Sequence, residues 1–300
     1  MTPNYSPCRV AIVFLICSIP HLLQGETSNK PLTELPIEFE KNLPLASIRV
    51  NGSALLFILD SAAASCVIDD VAAGQIGIKA SQSALSSGSG GMVTVRLTHG
   101  IRLSFTGLEI DLETAVLSSL HGLGFKKSIQ GILGFPLYGK YVVEMDYAAR
   151  IVRIYSPNGY QAPAAGQVIP LWITDGPTVH GRMKLPGQDP LEADFQVDTG
   201  SSHVLTVCKP FADKHQMLKK LADLKADRTL GLGGGSPDMV GRIESVTVGA
   251  YSIQNPEVRF STHATGTLAT EHFSANLGNG FLNSYTVIFD VPHSRLILKR

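Results

Sequence analysis

Beyond its first thirty residues the chain is written as short Val, Ile and Leu runs. Gly, Pro, Asn and Ser interrupt them every eight to twelve residues or so, the cadence of an all-β protein. The pattern predicts strands over Leu45–Val50, Leu55–Asp60, Met92–Phe105, Val142–Asp146 and Ile151–Tyr155, and again over Glu244–Val248, Thr286–Asp290 and Leu296–Lys299. Helical spacing is best at Pro210–Ala226, where Phe211, Met217, Leu218, Leu221 and Leu224 recur on one face and predict a helix packed on the surface.

The same apolar phrase occurs twice. Phe57-Ile58-Leu59-Asp60-Ser61-Ala62 returns 138 residues later as Phe195-Gln196-Val197-Asp198-Thr199-Gly200, each time an acid at the end of an apolar strand, then a hydroxyl, then a tiny residue. Further on, Leu133-Gly134 with Tyr141–Asp146 aligns without a gap on Leu277-Gly278 with Tyr285–Asp290, at an offset of 144. An apolar-apolar-Gly phrase is thus expected in both halves. A period of this length is the mark of a duplicated domain rather than of a solenoid. The expected organisation is a first lobe over 26–156, a linker rich in Pro, Gly and Ala over 157–166, and a second lobe over 167–300.

Residues 1–25 read as an export signal: Arg9, then the apolar Val10–Ile19, then Pro20, with Gly25 as the small residue at the cut. Ile16 before Cys17 is too bulky for a lipoprotein site. Removal of this leader takes Arg9 as its only charged residue, and leaves the 25 acids one in excess of the bases. So balanced a chain excludes a polyanion-binding role, and no nucleic-acid partner or stable membrane insertion of the mature chain is expected. An exported protein, periplasmic or secreted, follows. Cys66 and Cys208 remain, expected as buried small hydrophobes, with a disulfide left open.

With 44% hydrophobic residues the chain can bury a sizeable core. Its paired acids then raise a chemical expectation: two carboxylates delivered to one place serve as acid and base. Metal chemistry is not expected. The nine His lack a His-x-x-x-His pair, the glycine runs lack the Lys-Ser/Thr of a phosphate loop, and no Gly-x-Ser-x-Gly elbow stands between a strand and a helix.

Asp198-Thr199-Gly200-Ser201-Ser202, with Leu277-Gly278 and Tyr285–Asp290 downstream, resembles the active-site phrase and lobe-closing segment of the pepsin and retropepsin superfamily, as found in bacterial two-lobe aspartyl proteases. Gly131-Ile132-Leu133-Gly134 resembles the first-lobe counterpart. The resemblance implies two homologous β-barrel lobes with a cleft between them, and Asp60 and Asp198 as catalytic carboxylates that share one proton and need no cofactor or metal. Ser61, Ala62, Thr199, Gly200 and Ser201 would support the two loops, the hydroxyls of Ser61 and Thr199 bonding across to the opposite loop. The Gly-rich runs would form flaps around Gly90 and Gly91, and around Gly234 and Gly235, covering an extended peptide or protein substrate.

The implied activity is that of an aspartic endopeptidase, monomeric because both halves lie in one chain. Ala62, in the place of the usual glycine, leaves a second reading open: a catalytically inactive peptide-binding protein on the same fold. A third is an unrelated β-sandwich of the cell envelope, with the two acids far apart. His203 is expected near the Asp198 loop, Asp146 and Asp290 in turns or ion pairs, and Trp172 packed within the second lobe.

Overall fold

A computed structural model describes residues 29–300; the expected export leader, with Cys8 and Cys17, lies outside them. Strands dominate and fall into two sheets. One is built of ten strands, all from the first half of the chain; the other, of fifteen, carries the second half and also three strands of the first. The pairing order closes neither sheet into a barrel, so the expected barrels are open sheets.

The three borrowed strands explain how the halves are joined. Thr33–Pro36, Ile151–Tyr155 and Val142–Asp146 lie side by side, followed by Thr286–Asp290, Arg295–Lys299 and Gln167–Ile173. The central pair is the aligned pair of the sequence: Glu144 faces Ile288 and Met145 faces Val287 in antiparallel register. The segments that repeat at an offset of 144 therefore meet at a local two-fold. Val143, Met145, Val287 and Phe289 are fully buried there, and the ring of Phe289 stands edge-on to Tyr138 at 5.1 Å. One apolar core runs through both halves.

Within each half the acid-bearing strand has the same neighbour. Ser53–Leu59 runs parallel to Gly131–Leu133, and Leu191–Val197 parallel to Ala275–Leu277. The glycine closing each of these short strands is dictated by space. A Cβ on Gly134 would overlap the Ala63 carbonyl, and one on Gly278 the carbonyls of Ser201 and His203.

Several expectations need correction. The stretch read as one strand over Met92–Phe105 is two, Gly91–Thr98 and Ile101–Phe105, turned at Gly100 with φ +70°. Pro210–Ala226 is not one helix: a helix spans Lys209–Lys214, a 3-10 turn spans Met217–Lys219, and Lys225 already begins a strand. Gln216, left-handed at φ 51°, breaks the helix; Leu218 packs on the core from the 3-10 turn and Leu221 and Leu224 from irregular chain, which together imitate helical spacing. Trp172 is exposed, beside Ile173 at the end of its strand, rather than packed inside. The apolar-apolar-Gly phrase holds only in the first half, because the second reads Asn276-Leu277-Gly278.

Asp146 accepts from the Ala149 N–H in a turn, and buried Asp290 is paired with Arg295 and His293. Among the described residues Cys66 and Cys208 are both buried and unpaired. Burial pushes the Cys66 thiol up to about 12, leaving it a protonated small hydrophobe.

Candidate active site

Asp60 and Asp198 each follow the last residue of a parallel-paired strand and are held alike. The Asp60 N–H donates to the Leu133 carbonyl and the Asp198 N–H to that of Leu277, both at 2.9 Å. These bonds fix the two loops to the central short strands of their own lobes. The loops are then locked to one another. The Thr199 Oγ1 donates to the Leu59 carbonyl (2.8 Å) and accepts from the Ser61 N–H (2.9 Å); the Ser61 Oγ donates to the Val197 carbonyl (2.8 Å) and accepts from the Thr199 N–H (3.0 Å). Every donor and acceptor of this crossed set is used, within a region where Ser61 and Thr199 are fully buried.

The crossing brings the acids together. Their carboxyls are in hydrogen-bonding contact although the residues lie in different halves of the chain. A Cβ on Gly200 would overlap the Asp60 carboxyl, so glycine there is a condition of the approach. Ala62 holds the equivalent place in the first loop. It is not in the left-handed region, and its N–H donates to the Asp60 Oδ1 at 2.9 Å, as does that of Ala63. The methyl group leaves this cradle intact.

The two carboxyls differ in their surroundings. Burial raises both above the ordinary carboxylate range, and Asp60 is raised further by the neighbouring charge of Asp198. Against that burial, Asp198 has a donor that Asp60 lacks: the Asn276 Nδ2 at 2.6 Å from its Oδ2, with the Gly200 N–H at 2.6 Å from Oδ1. Both favour its ionised form. This asymmetry of donors favours the ionised form on Asp198 and the shared proton on Asp60.

Sequence reasoning missed Asn276, because its first-lobe counterpart Ile132 is apolar and the repeat was read as apolar in both halves. The departure from the repeat was the signal. It also missed the layer beneath the dyad. The Tyr138 hydroxyl lies 3.3 Å from the Thr199 Oγ1, and Asn279 donates to the Thr199 carbonyl at 2.6 Å while accepting from the Tyr147 hydroxyl. Ser201 closes the second loop, its N–H reaching the Asp198 carbonyl. His203 follows, and burial pushes its imidazole down to about 4.

The glycine runs form two hairpins, Gln82–Gly88 with Gly91–Thr98 and Lys225–Gly231 with Gly234–Arg242. Their tips meet. The Gly90 N–H donates to the Leu232 carbonyl at 2.9 Å, and a Cβ on Gly90 would overlap Gly234. Gly91 and Gly234 open the returning strands at φ +123° and +117°, which only glycine adopts freely. Gly235 is not at the tip but within its hairpin, against Arg228.

Among the described residues no three His, Cys, Asp or Glu side chains converge as metal ligands, and no helix is long and apolar enough to cross a membrane. Residues 46–137, which include Asp60, the first hairpin and Gly134, match the family model described as aspartyl protease. No curated protein matches the chain.

Proposed function

We propose, from the match of residues 46–137 to the aspartyl protease family model, that the chain is an aspartic endopeptidase of pepsin- and retropepsin-like type in which water is activated between Asp60 and Asp198. The observation that carries the reading is the contact of two buried carboxyls held by crossed hydroxyl bonds from opposite halves. Ionised Asp198 takes a proton from a water molecule whose oxygen bonds to the peptide carbonyl carbon. Asp60 passes its proton to the carbonyl oxygen, giving a neutral tetrahedral diol. Collapse returns a hydroxyl proton to Asp60 and moves the Asp198 proton to the departing nitrogen, so the C–N bond breaks with both acids restored.

The hairpin tips supply main-chain donors and acceptors for an extended peptide, which would bind as an added strand. Their contact must open for the substrate to enter. We further propose that the mature chain acts outside the cytoplasm and as a monomer, since each half supplies one carboxylate.

Cleavage of a fluorogenic peptide library from acid to neutral pH tests the activity, with Asp198→Asn and Asp60→Asn as controls. Loss of cleavage in both variants is expected. Undiminished cleavage in either would sink the mechanism, and no cleavage by the wild type would return the chain to a peptide-binding role.

A further inference from the structure

The walls on either side of the dyad are built from equivalent positions and opposite chemistry. In the first lobe Ile132 pairs with Val67, and Val67 with Val116, across three strands. In the second the same rung reads Asn276, Thr206 and Arg259. On the hairpin strands the rung continues to Leu97 and Val240, both apolar, and two and four residues earlier Val95 and Val93 are matched by Asp238 and Ser236. The alternate residues of these second-lobe strands, such as Leu205, Phe260 and Leu277, belong to the core, so the polar positions form its opposite face.

Both faces lie at the cleft. Leu232, at the tip of the second hairpin, packs against the first-lobe cluster that holds Val67 and Ile132. Asn276, on the second face, touches Asp198.

The polar wall carries buried polar atoms that nothing on it satisfies. Asp238 is 2% exposed and Ser236 is 1% exposed. The Asp238 Oδ2 accepts from the Thr229 hydroxyl and, at 3.4 Å, from Arg259, but among the described residues its Oδ1 has no partner, nor has the Ser236 Oγ, nor the Asn276 Oδ1. Arg259 is shared with Asp227, so two acids face one base. His203 beside them, pushed down to about 4 by burial, is neutral above that pH and adds no compensating charge. Burial raises the Asp238 carboxyl above its ordinary value, so its charge is under-compensated; buried polar atoms without partners, where two carboxyls share one guanidinium, suit a cationic donor brought by a ligand.

We propose that the second-lobe wall at Asp238 and Ser236 is a specificity site for a Lys or Arg side chain of the substrate, with the first-lobe wall taking an apolar side chain across the scissile bond. This rests on the peptidase reading only for the word "scissile"; as a binding site the wall stands without it. Because the two walls differ, the enzyme distinguishes the direction in which a peptide lies.

The test uses three otherwise identical labelled peptides with Leu-Lys, Lys-Leu or Leu-Leu at the centre. Binding is measured by fluorescence anisotropy on the Asp198→Asn variant, and cleavage on the wild type. One mixed peptide is expected to bind and be cut about tenfold or more better than Leu-Leu, the gain expected of a buried charge pair. Asp238→Asn should erase that preference, bringing the ratio of mixed peptide to Leu-Leu to about one. Should Asp238→Asn fail to fold, Ser236→Ala is expected to reduce the preference several-fold. Equal treatment of the three peptides overturns the specificity site and leaves the peptidase reading untouched. Preferential binding without cleavage keeps the site and refutes the peptidase, and no binding of any peptide refutes both.

Discussion

Replacing Asn276 with isoleucine, the residue at its first-lobe counterpart Ile132, removes the one side-chain donor that separates Asp198 from Asp60. The lost bond is short, 2.6 Å, and ends on the charged member of the dyad. A hydrogen bond to a charged group contributes about 1.5–3 kcal/mol. At about 1.4 kcal/mol per decade, a barrier raised by that amount lowers kcat/KM at fixed acidic pH roughly ten- to a hundredfold. The sign is set by the ionised form. Asp198 loses a donor that holds it below what burial alone would give, so its carboxyl rises and the acidic limb of the pH profile moves to higher pH. By linkage stability should fall by about the same 1.5–3 kcal/mol at pH values where Asp198 is ionised, offset in part because the variant also deletes the unpartnered Asn276 Oδ1. The assay is kcat/KM against pH with a fluorogenic peptide, beside a thermal melt and a carboxyl-carbon NMR titration of the dyad. An acidic limb that stays in place, with the NMR titration unmoved, would refute the assignment of the charge to Asp198.

Thr199→Val keeps the shape but strands the Ser61 N–H and the Leu59 carbonyl, a loss of about 2–4 kcal/mol that a chemical melt would register; a change below about 1 kcal/mol would mean the crossed bonds do not hold the lobes. Asp60 titrates above its unfolded value, so the native state binds the extra proton and stability falls as pH rises through the raised value. Asp60→Asn, neutral throughout, should therefore melt higher than the wild type at neutral pH and lose that advantage in acid; a parallel pair of melting curves would contradict the burial of the charge. Gly90→Ala forces the hairpin tips apart and should raise KM several-fold with little change in melting temperature, and an unchanged KM would show that the tips do not cover the substrate. Ala62→Gly is expected to leave kcat within about threefold, since the Asp60 cradle is already intact; a large gain in activity would reveal that the methyl group had been impairing the site.

Much of this protein is legible in its sequence, for a physical reason. Strand alternation, the doubled acid phrase and the x-Leu-Gly closures are local requirements of backbone pairing and close approach. Each leaves a fixed residue type at a fixed position: the apolar strand before Asp60 and Asp198, the hydroxyls of Ser61 and Thr199, the glycines at 134, 200 and 278. Those features were enough to set the all-β class, the duplication and the two acids to watch. Elsewhere local pattern misled. Apolar residues around Met217 and Leu224 face the core from a turn, and nothing local says that their spacing is not helical.

What the tertiary structure alone decided is asymmetry. In sequence, Asp60 and Asp198 are two copies of one phrase; only the fold sets Asn276 beside one and Ile132 at the equivalent place beside the other, and so favours the charge on Asp198. Likewise Ser236, Asp238 and Arg259 are scattered polar residues until two paired strands align them on one wall, opposite a wall of valine and isoleucine. The repeat dictated two like frames because backbone geometry tolerates few alternatives. The chemistry of the walls depends on contacts between residues far apart in the chain, and these exist only once the strands are paired.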